Sequence, residues 1–299
     1  MFERVNKMLP GSSEVLTALG LVTRREGRSD ESVAYFEQAL ALDPQNVKLL
    51  EDAAETYAML RLFPAAVKLY DRALDIVPND PDLMASKASI YQAQGNFAQA
   101  AKALSEINTH TSSWRAFRIK ITQLRLERNY GEAIRLLQAR QASGIENVAM
   151  QSMLALTQRL DGDTVGAKVT AEQVRDPLEA LCKNQPDEAV FAGALSLANA
   201  VLGQKASALK GAERAVMLLP SNKDRVAGPG FEEILALIQT MLGENNRAIP
   251  TLTRLLQTPY SSFLYFQIPV TPALRRLDPI WDPLRTDPAF QKLCEEKQQ

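Results

Sequence analysis

Between Val47 and Val77 apolar residues recur twice with the period of an α-helix. In VKLLEDAAETYAML, Leu50, Ala53, Ala54 and Tyr57 fall at i, i+3, i+4 and i+7, one stripe on one helix. In PAAVKLYDRALDIV, Ala66, Val67, Tyr70, Ala73 and Leu74 make a second stripe. Pro64 suits the first turn of that second helix, where a missing N–H loses nothing. Ala54 and Ala66 let the two backbones approach closely, and Tyr70 and Leu74 fill space against a following pair. The unit itself recurs. Ala39 answers to Ala73, Phe36 to Tyr70, Pro44 to Pro78 and Gly20 to Ala54, each pair 34 positions apart. Asp43-Pro44 and Pro78-Asn79-Asp80-Pro81 punctuate the units. No such unit can bury its stripe alone, so neighbours must stack.

A fixed period of 34 with small residues, an aromatic and a closing proline resembles the tetratricopeptide repeat. The resemblance implies an all-α, right-handed superhelical solenoid of antiparallel helix pairs. Seven units are predicted, at 13–46, 47–80, 81–113, 114–147, 148–181, 189–222 and 229–262. Ala88, Tyr91, Gly95, Phe97 and Ala100 carry the third; Tyr130 and Ala133 the fourth; Gly162 and Ala167 the fifth. Gly203, Ala208, Ala212, Ala215 and Pro220 carry the sixth, and Ala236, Gly243 and Ala248 the seventh. Asn96 with Gln99, and Asn129 with Glu132, read as capping boxes. Asp176-Pro177 is expected to kink or break the long second helix of the fifth unit, and Pro250 to delay or kink that of the seventh. Cys182–Glu188 and Lys223–Gly228 are insertions between units.

The start of the chain fits the same register. Phe2 precedes Phe36, and Pro10 precedes Pro44, by 34. Residues 1–12 therefore read as the second helix of a truncated repeat, and the chain as part of a longer protein. Phe2, Val5 and Leu9 would then present a bare apolar stripe, a possible route to self-association.

The tail, 263–299, abandons the period and is expected to cap the last repeat through Trp281, Leu284, Phe290 and Leu293. Its Leu274–Leu293 stretch, with Asp278-Pro279, Asp282-Pro283 and Asp287-Pro288, resembles the ending of repeat regions in bacterial multidomain signalling proteins. Those regions follow serine/threonine kinase, nucleotide-cyclase or winged-helix modules, so the resemblance implies a regulatory or scaffolding region of a larger protein. The kinase, cyclase and DNA-binding motifs themselves do not occur in this sequence.

Composition narrows the function by exclusion. Among 299 residues the net charge is −1, so nothing draws the chain generally to nucleic acid or anionic lipid. Ala189–Gln204 is the least polar stretch, too short to span a bilayer and suited to a repeat helix. No apolar run opens the chain as a signal peptide would, and a cytoplasmic location is expected unless a transmembrane segment lies upstream. Cys182 and Cys294 have neither CxxC nor metal spacing. His110, the sole histidine, rules out histidine metal sites and two-histidine chemistry. Gly228-Pro229-Gly230 reads as a turn, not a phosphate loop. Tyr260, Phe263, Tyr265 and Phe266 form an aromatic cluster, read as packing of the cap onto the seventh repeat. An enzyme is not indicated, and neither a cofactor nor a metal is implied.

Binding is the remaining class. In the family, positions two, five, nine and twelve of each unit point into a concave groove, and the resemblance places Glu14, Glu51, Glu55 and Asp82 there in the first three units. Arg115, Arg118 and Arg125 follow in the fourth and Arg159 in the fifth, then Val190, Leu197, Ala200 and Leu237 in the last two. This implies a groove with an acidic end, a basic middle and an apolar far end, suited to an extended segment or helix of a protein partner. Glu127 and Glu132 are the nearby acids that could neutralise the arginines instead. Thr17, Leu21, Glu51 and Glu55 do not fit the version of the family that clamps a chaperone C-terminus. The alternative function is a small-ligand sensor whose pocket lies near the insertions 182–188 and 223–228.

Overall fold

Helix boundaries follow from capping side chains. The computed structural model describes residues 11–107 and 111–295. The readings for Met1–Pro10 and for His110 lie outside these residues. Helix α1 (Ser13–Arg25) starts where the Ser12 hydroxyl accepts from the Val15 amide, and α2 (Ser29–Leu42) follows. Asn46 caps α3 (Val47–Met59) through the Leu49 amide, and Pro64 sits in the first turn of α4 (Phe63–Ile76). Asp80 accepts from the Asp82 and Leu83 amides to open α5 (Pro81–Ala93). Asn96 opens α6 (Phe97–Ser105) by accepting from the Gln99 amide at 3.2 Å. The Gln99 side chain returns the contact to the Asn96 amide side chain, not to its main chain. These capping bonds contribute about 1 kcal/mol each.

The later helices are α7 (Trp114–Leu126), α8 (Tyr130–Ala139), α9 (Gly144–Asp161), α10 (Thr164–Asn184), α11 (Ala189–Val201), α12 (Lys205–Leu218), α13 (Gly228–Met241) and α14 (Asn245–Leu256). A short α15 (Pro272–Leu277), a 3₁₀ turn (Pro279–Leu284) and α16 (Pro288–Glu295) complete the chain. The described residues contain no strand. The fold is an array of antiparallel helix pairs.

Several local expectations are corrected. Asn129 makes no side-chain cap bond, and the Glu132 carboxylate accepts from Arg135 at 2.6 Å. Helix α9 starts at Gly144, not near Val148. Helix α10 does not break at Pro177, since buried Val174 and Leu178 pack on Ala198 on either side of it. It consumes the first residues of the 182–188 insertion. Helix α14 starts at Asn245 and continues through Pro250, so its start is not delayed.

The chain forms two compact units. The first comprises the described residues up to Lys120 together with Ser221–Gly228 and Thr258–Pro269; the second comprises Ile121–Pro220, Pro229–Gln257 and the described residues from Val270. In the first unit Ala54, Ala66, Ala39 and Ala73 are wholly buried, as close helix crossings require. At Gly20 an added Cβ would stand 2.9 Å from the Phe36 ring, so glycine makes room for an aromatic there. In the second unit Ala200, Ala208 and Ala212 pack with Ile238, and Ala155, Ala167 and Ala171 with Val201. Trp281, Leu284, Phe290 and Leu293 are all buried.

One backbone position recurs. The turn after each first helix needs a left-handed residue, supplied by Gly27, Gly95, Gly162, Gly203 and Gly243 at φ of 76° to 90°. In the second and fourth repeats Arg61 (φ 60°) and Arg128 (φ 58°) take that place.

Candidate functional site

The first helices α1, α3, α5 and α7 line up through their polar side chains. Arg24 donates to the Thr56 hydroxyl at 2.9 Å, and Gln92 to the Ile119 carbonyl at 3.0 Å. Arg115 on α7 reaches across α5, donating to the Ser86 hydroxyl at 2.9 Å and pairing with Glu51 on α3 at 2.5 Å. Glu55 lies 3.6 Å from the same guanidinium. Burial raises the pKa of Glu55, Arg115 opposes that, and nearby Glu51 adds to it. Burial works against the Arg115 cation, but Glu51 and Glu55 outweigh it and its pKa rises. Tyr70, buried behind this cluster, has its phenol pushed far up, chiefly by burial.

Two returning stretches of chain lie on this face within the first unit. The Arg225 amide donates to the Arg25 carbonyl at 2.9 Å, and Arg25 pairs with Asp224 at 2.5 Å. Arg61 donates to the Thr258 carbonyl at 3.1 Å, and Arg118 to the Phe263 carbonyl at 2.8 Å. The Ser261 amide donates to the Val226 carbonyl, which ties the two stretches together. The Phe266 ring lies under both Arg115 and Arg118, at 5.2 and 5.1 Å, and packs on the Met84, Leu104 and Ile119 cluster. The aromatic packing expected on the seventh repeat is therefore made, for Phe266, on the third and fourth. Guanidinium over a ring contributes about 0.5–1 kcal/mol when exposed and more when desolvated.

The residues assigned to the groove from sequence thus separate. Glu51, Glu55 and Arg115 come together, and Arg118 joins them through Phe266. Asp82 accepts from the Ser113 hydroxyl. Glu14 is exposed in the first turn of α1, where the Ser12 hydroxyl lowers its pKa. Arg125 belongs to the second unit and pairs with fully buried Asp278 at 2.9 Å. Arg128 pairs with Asp282 at 2.7 Å, so the tail also lies along the fourth repeat. Arg159 donates to the Met241 carbonyl at 3.3 Å. Ala200 and Leu237 are buried, while Val190 is exposed. Arg115 is neutralised by Glu51 and Glu55 and Arg125 by Asp278, while Arg118 and Arg159 donate to main-chain carbonyls; Glu127 accepts from Gln123 and Glu132 from Arg135.

A cavity of about 200 Å³ opens beside Gly27 in the first unit. Arg24, Glu26, Ser29, Thr56, Met59 and Leu60 line one side, and Arg225, Val226, Thr258 and Pro259 the other. It lies at the 223–228 insertion; residues of the 182–188 insertion do not line it. No metal-ligating cluster of histidine, cysteine or carboxylate side chains occurs among the described residues. No helix among them is long and apolar enough to cross a membrane.

Sequence reasoning missed Asp224, Asp278, Arg61 and Phe266 as partners of this face. The signals were present: insertions carrying charge, an Asp-Pro tail, and arginine where the repeat has glycine.

Comparison with known proteins finds tetratricopeptide-repeat models in the first part of the chain. Residues 17–81 match one family model described as tetratricopeptide repeat, and residues 62–111 match a second. Human tetratricopeptide repeat protein 7B is 28% identical over 95 residues, 32% of this chain and 11% of that protein. A chain of the APC/C hetero-tetramer Cut9–Hcn1 superposes with a TM-score of 0.53 at 14% identity, covering 73% of this chain and 42% of that one. A chain of the human IFIT1 dimer with PPP-AAAA gives 0.54 at 16% identity, covering 81% and 58%. This chain spans less than two-thirds of each of these proteins, and the structural likeness is one of fold. Residues 17–111 thus match models of the tetratricopeptide repeat, and the described residues form a helical array of antiparallel helix pairs like those structures.

Proposed function

We propose that this chain is a non-enzymatic protein-interaction module, the scaffold or sensor region of a larger signalling protein. Its recognition surface is the face of α1, α3, α5 and α7 that carries Glu14, Glu51, Glu55, Asp82, Arg115 and Arg118. One observation carries this reading: that face already holds a returning segment of its own chain, Thr258–Phe266, whose end turns at 263–267. Arg61 and Arg118 grip that stretch by main-chain carbonyls, and Phe266 is anchored beneath two guanidiniums. Carbonyl recognition tolerates varied side chains, while the ring supplies an anchor. A partner segment with an aromatic residue competes for the same donors.

The test uses the protein recovered by affinity capture from the source cell. Its affinity is measured for the parent, for Arg118→Gln and for Phe266→Ala. Losing Arg118 weakens the grip on any occupant, so binding falls; losing Phe266 loosens only the internal stretch, so binding tightens. Equal affinities in all three, with melting curves showing folded protein, would refute the assignment of this face.

A further inference from the structure

The geometry points to the cavity beside Gly27 as a binding site for a small organic monocarboxylate with a short apolar body. This goes beyond the protein-binding face and does not depend on it.

The cavity contains two cations with donors to spare. Arg24 gives one bond, to the Thr56 hydroxyl, and its buried Nε has no partner among the described residues. That hydroxyl is itself satisfied, because it donates to the Asp52 carbonyl at 2.8 Å. The Arg225 guanidinium makes no hydrogen bond or ion pair with any described residue, and only its main-chain amide is engaged. Gly27 makes room for its stem: a Cβ there would stand 2.8 Å from Arg225 Cγ.

The surrounding carboxylates are committed elsewhere. Glu26, the one carboxylate in the wall, is held by Arg28 at 2.9 and 2.5 Å. Asp224 is taken by Arg25 at 2.5 Å, Asp52 by Lys48 at 2.9 Å, and Glu55 lies against Arg115 at 3.6 Å. A planar fork of N–H donors matches a carboxylate with two parallel bonds.

The rest of the wall selects the body of the ligand. Met59, Leu60, Val226 and Pro259 are apolar, and the Ser29 hydroxyl is within the same wall. At about 200 Å³ the cavity lies below the roughly 300–1,000 Å³ of drug-sized sites, so it suits a small acid. The apolar part of the wall desolvates the second negative charge of a phosphate dianion, which disfavours it relative to a monocarboxylate. A bound acid would join Arg24 on α1 to Arg225 on the returning stretch and so fasten that stretch to the repeats.

Isothermal titration of the full chain with acetate, butyrate, hexanoate and inorganic phosphate tests this. Butyrate should bind saturably and more tightly than acetate, by roughly fourfold per methylene at full burial. Arg225→Gln should weaken butyrate at least tenfold without changing the melting curve, because that side chain is exposed and supports nothing else. Absence of saturation overturns the proposal. So does unchanged affinity in Arg225→Gln, no gain from acetate to butyrate, or phosphate binding as tightly as butyrate.

Discussion

Arg115 on the fourth repeat holds Glu51 on the second at 2.5 Å, passing over the third, whose Ser86 hydroxyl it also engages. One side chain thus fastens three consecutive repeats. Its guanidinium is largely desolvated, so removing it strands two carboxylates together. Arg115→Met should cost about 3 kcal/mol, the low end for a broken buried pair because some water still reaches it. Adding Glu51→Gln and Glu55→Gln to that variant should restore much of the loss in a urea melt. An undiminished melt for Arg115→Met would show that the pair contributes nothing.

The same cluster sets a pH dependence. Burial holds the Glu55 carboxyl above its ordinary value of 4.5. Between the ordinary and the raised value, the folded chain binds a proton that the unfolded chain has lost. Stability from this group therefore falls as pH rises through that window. Glu55→Gln should remove that slope, seen as a flatter curve of melting temperature against pH above 4.5.

Arg61 occupies a left-handed position that other repeats give to glycine, and it spends its side chain on the Thr258 carbonyl. Arg61→Gly relieves roughly 1 kcal/mol of backbone strain. It also loses a charged hydrogen bond of about 1.5–3 kcal/mol. The loss wins, so the variant should be less stable by about 1 kcal/mol. Amide exchange at Ser261, whose N–H is held by Val226, should quicken as the returning stretch loosens.

Asp278 is wholly buried, paired with Arg125, and also accepts from the Ile280 amide to start the 3₁₀ turn. Arg125→Met leaves that charge unpaired and should cost about 3–5 kcal/mol. Trypsin should then cut the tail near Arg285 before the repeats. Asp278→Asn keeps the capping oxygen and should cost less than Asp278→Ala.

Ala54 and Ala66 have no exposed surface. Leucine at either should overpack the crossing and cost about 1–3 kcal/mol in a thermal melt.

The repeats were legible because their information is local. Gly20, Ala39, Ala54 and Ala73 are small where helices cross, Phe36 and Tyr70 are aromatic where they fill behind, and the prolines and Asn or Asp caps mark the ends. Each of these is set by neighbours within one unit, and a period repeats the evidence. Helix α10 shows the limit: Pro177 argues for a break, and burial of Val174 and Leu178 against Ala198 on the next helix overrules it.

What the sequence by itself determined was the helical register and the row of charged positions on the first helices. Only the tertiary structure decided what those charges meet. Arg115 is separated from Glu51 by 64 residues, Arg118 from Phe263 by 145 and Arg125 from Asp278 by 153. The Arg118 and Arg125 pairings leave no periodic trace, because Phe263 and Asp278 lie in segments outside the repeat, where neither spacing nor composition constrains them; Glu51 lies within a repeat and meets Arg115 only once the repeats stack. An arginine stripe looks the same in one dimension whether it waits for a partner or already holds its own chain. Desolvation makes the difference, since a buried guanidinium must find acceptors and the returning stretches supply them.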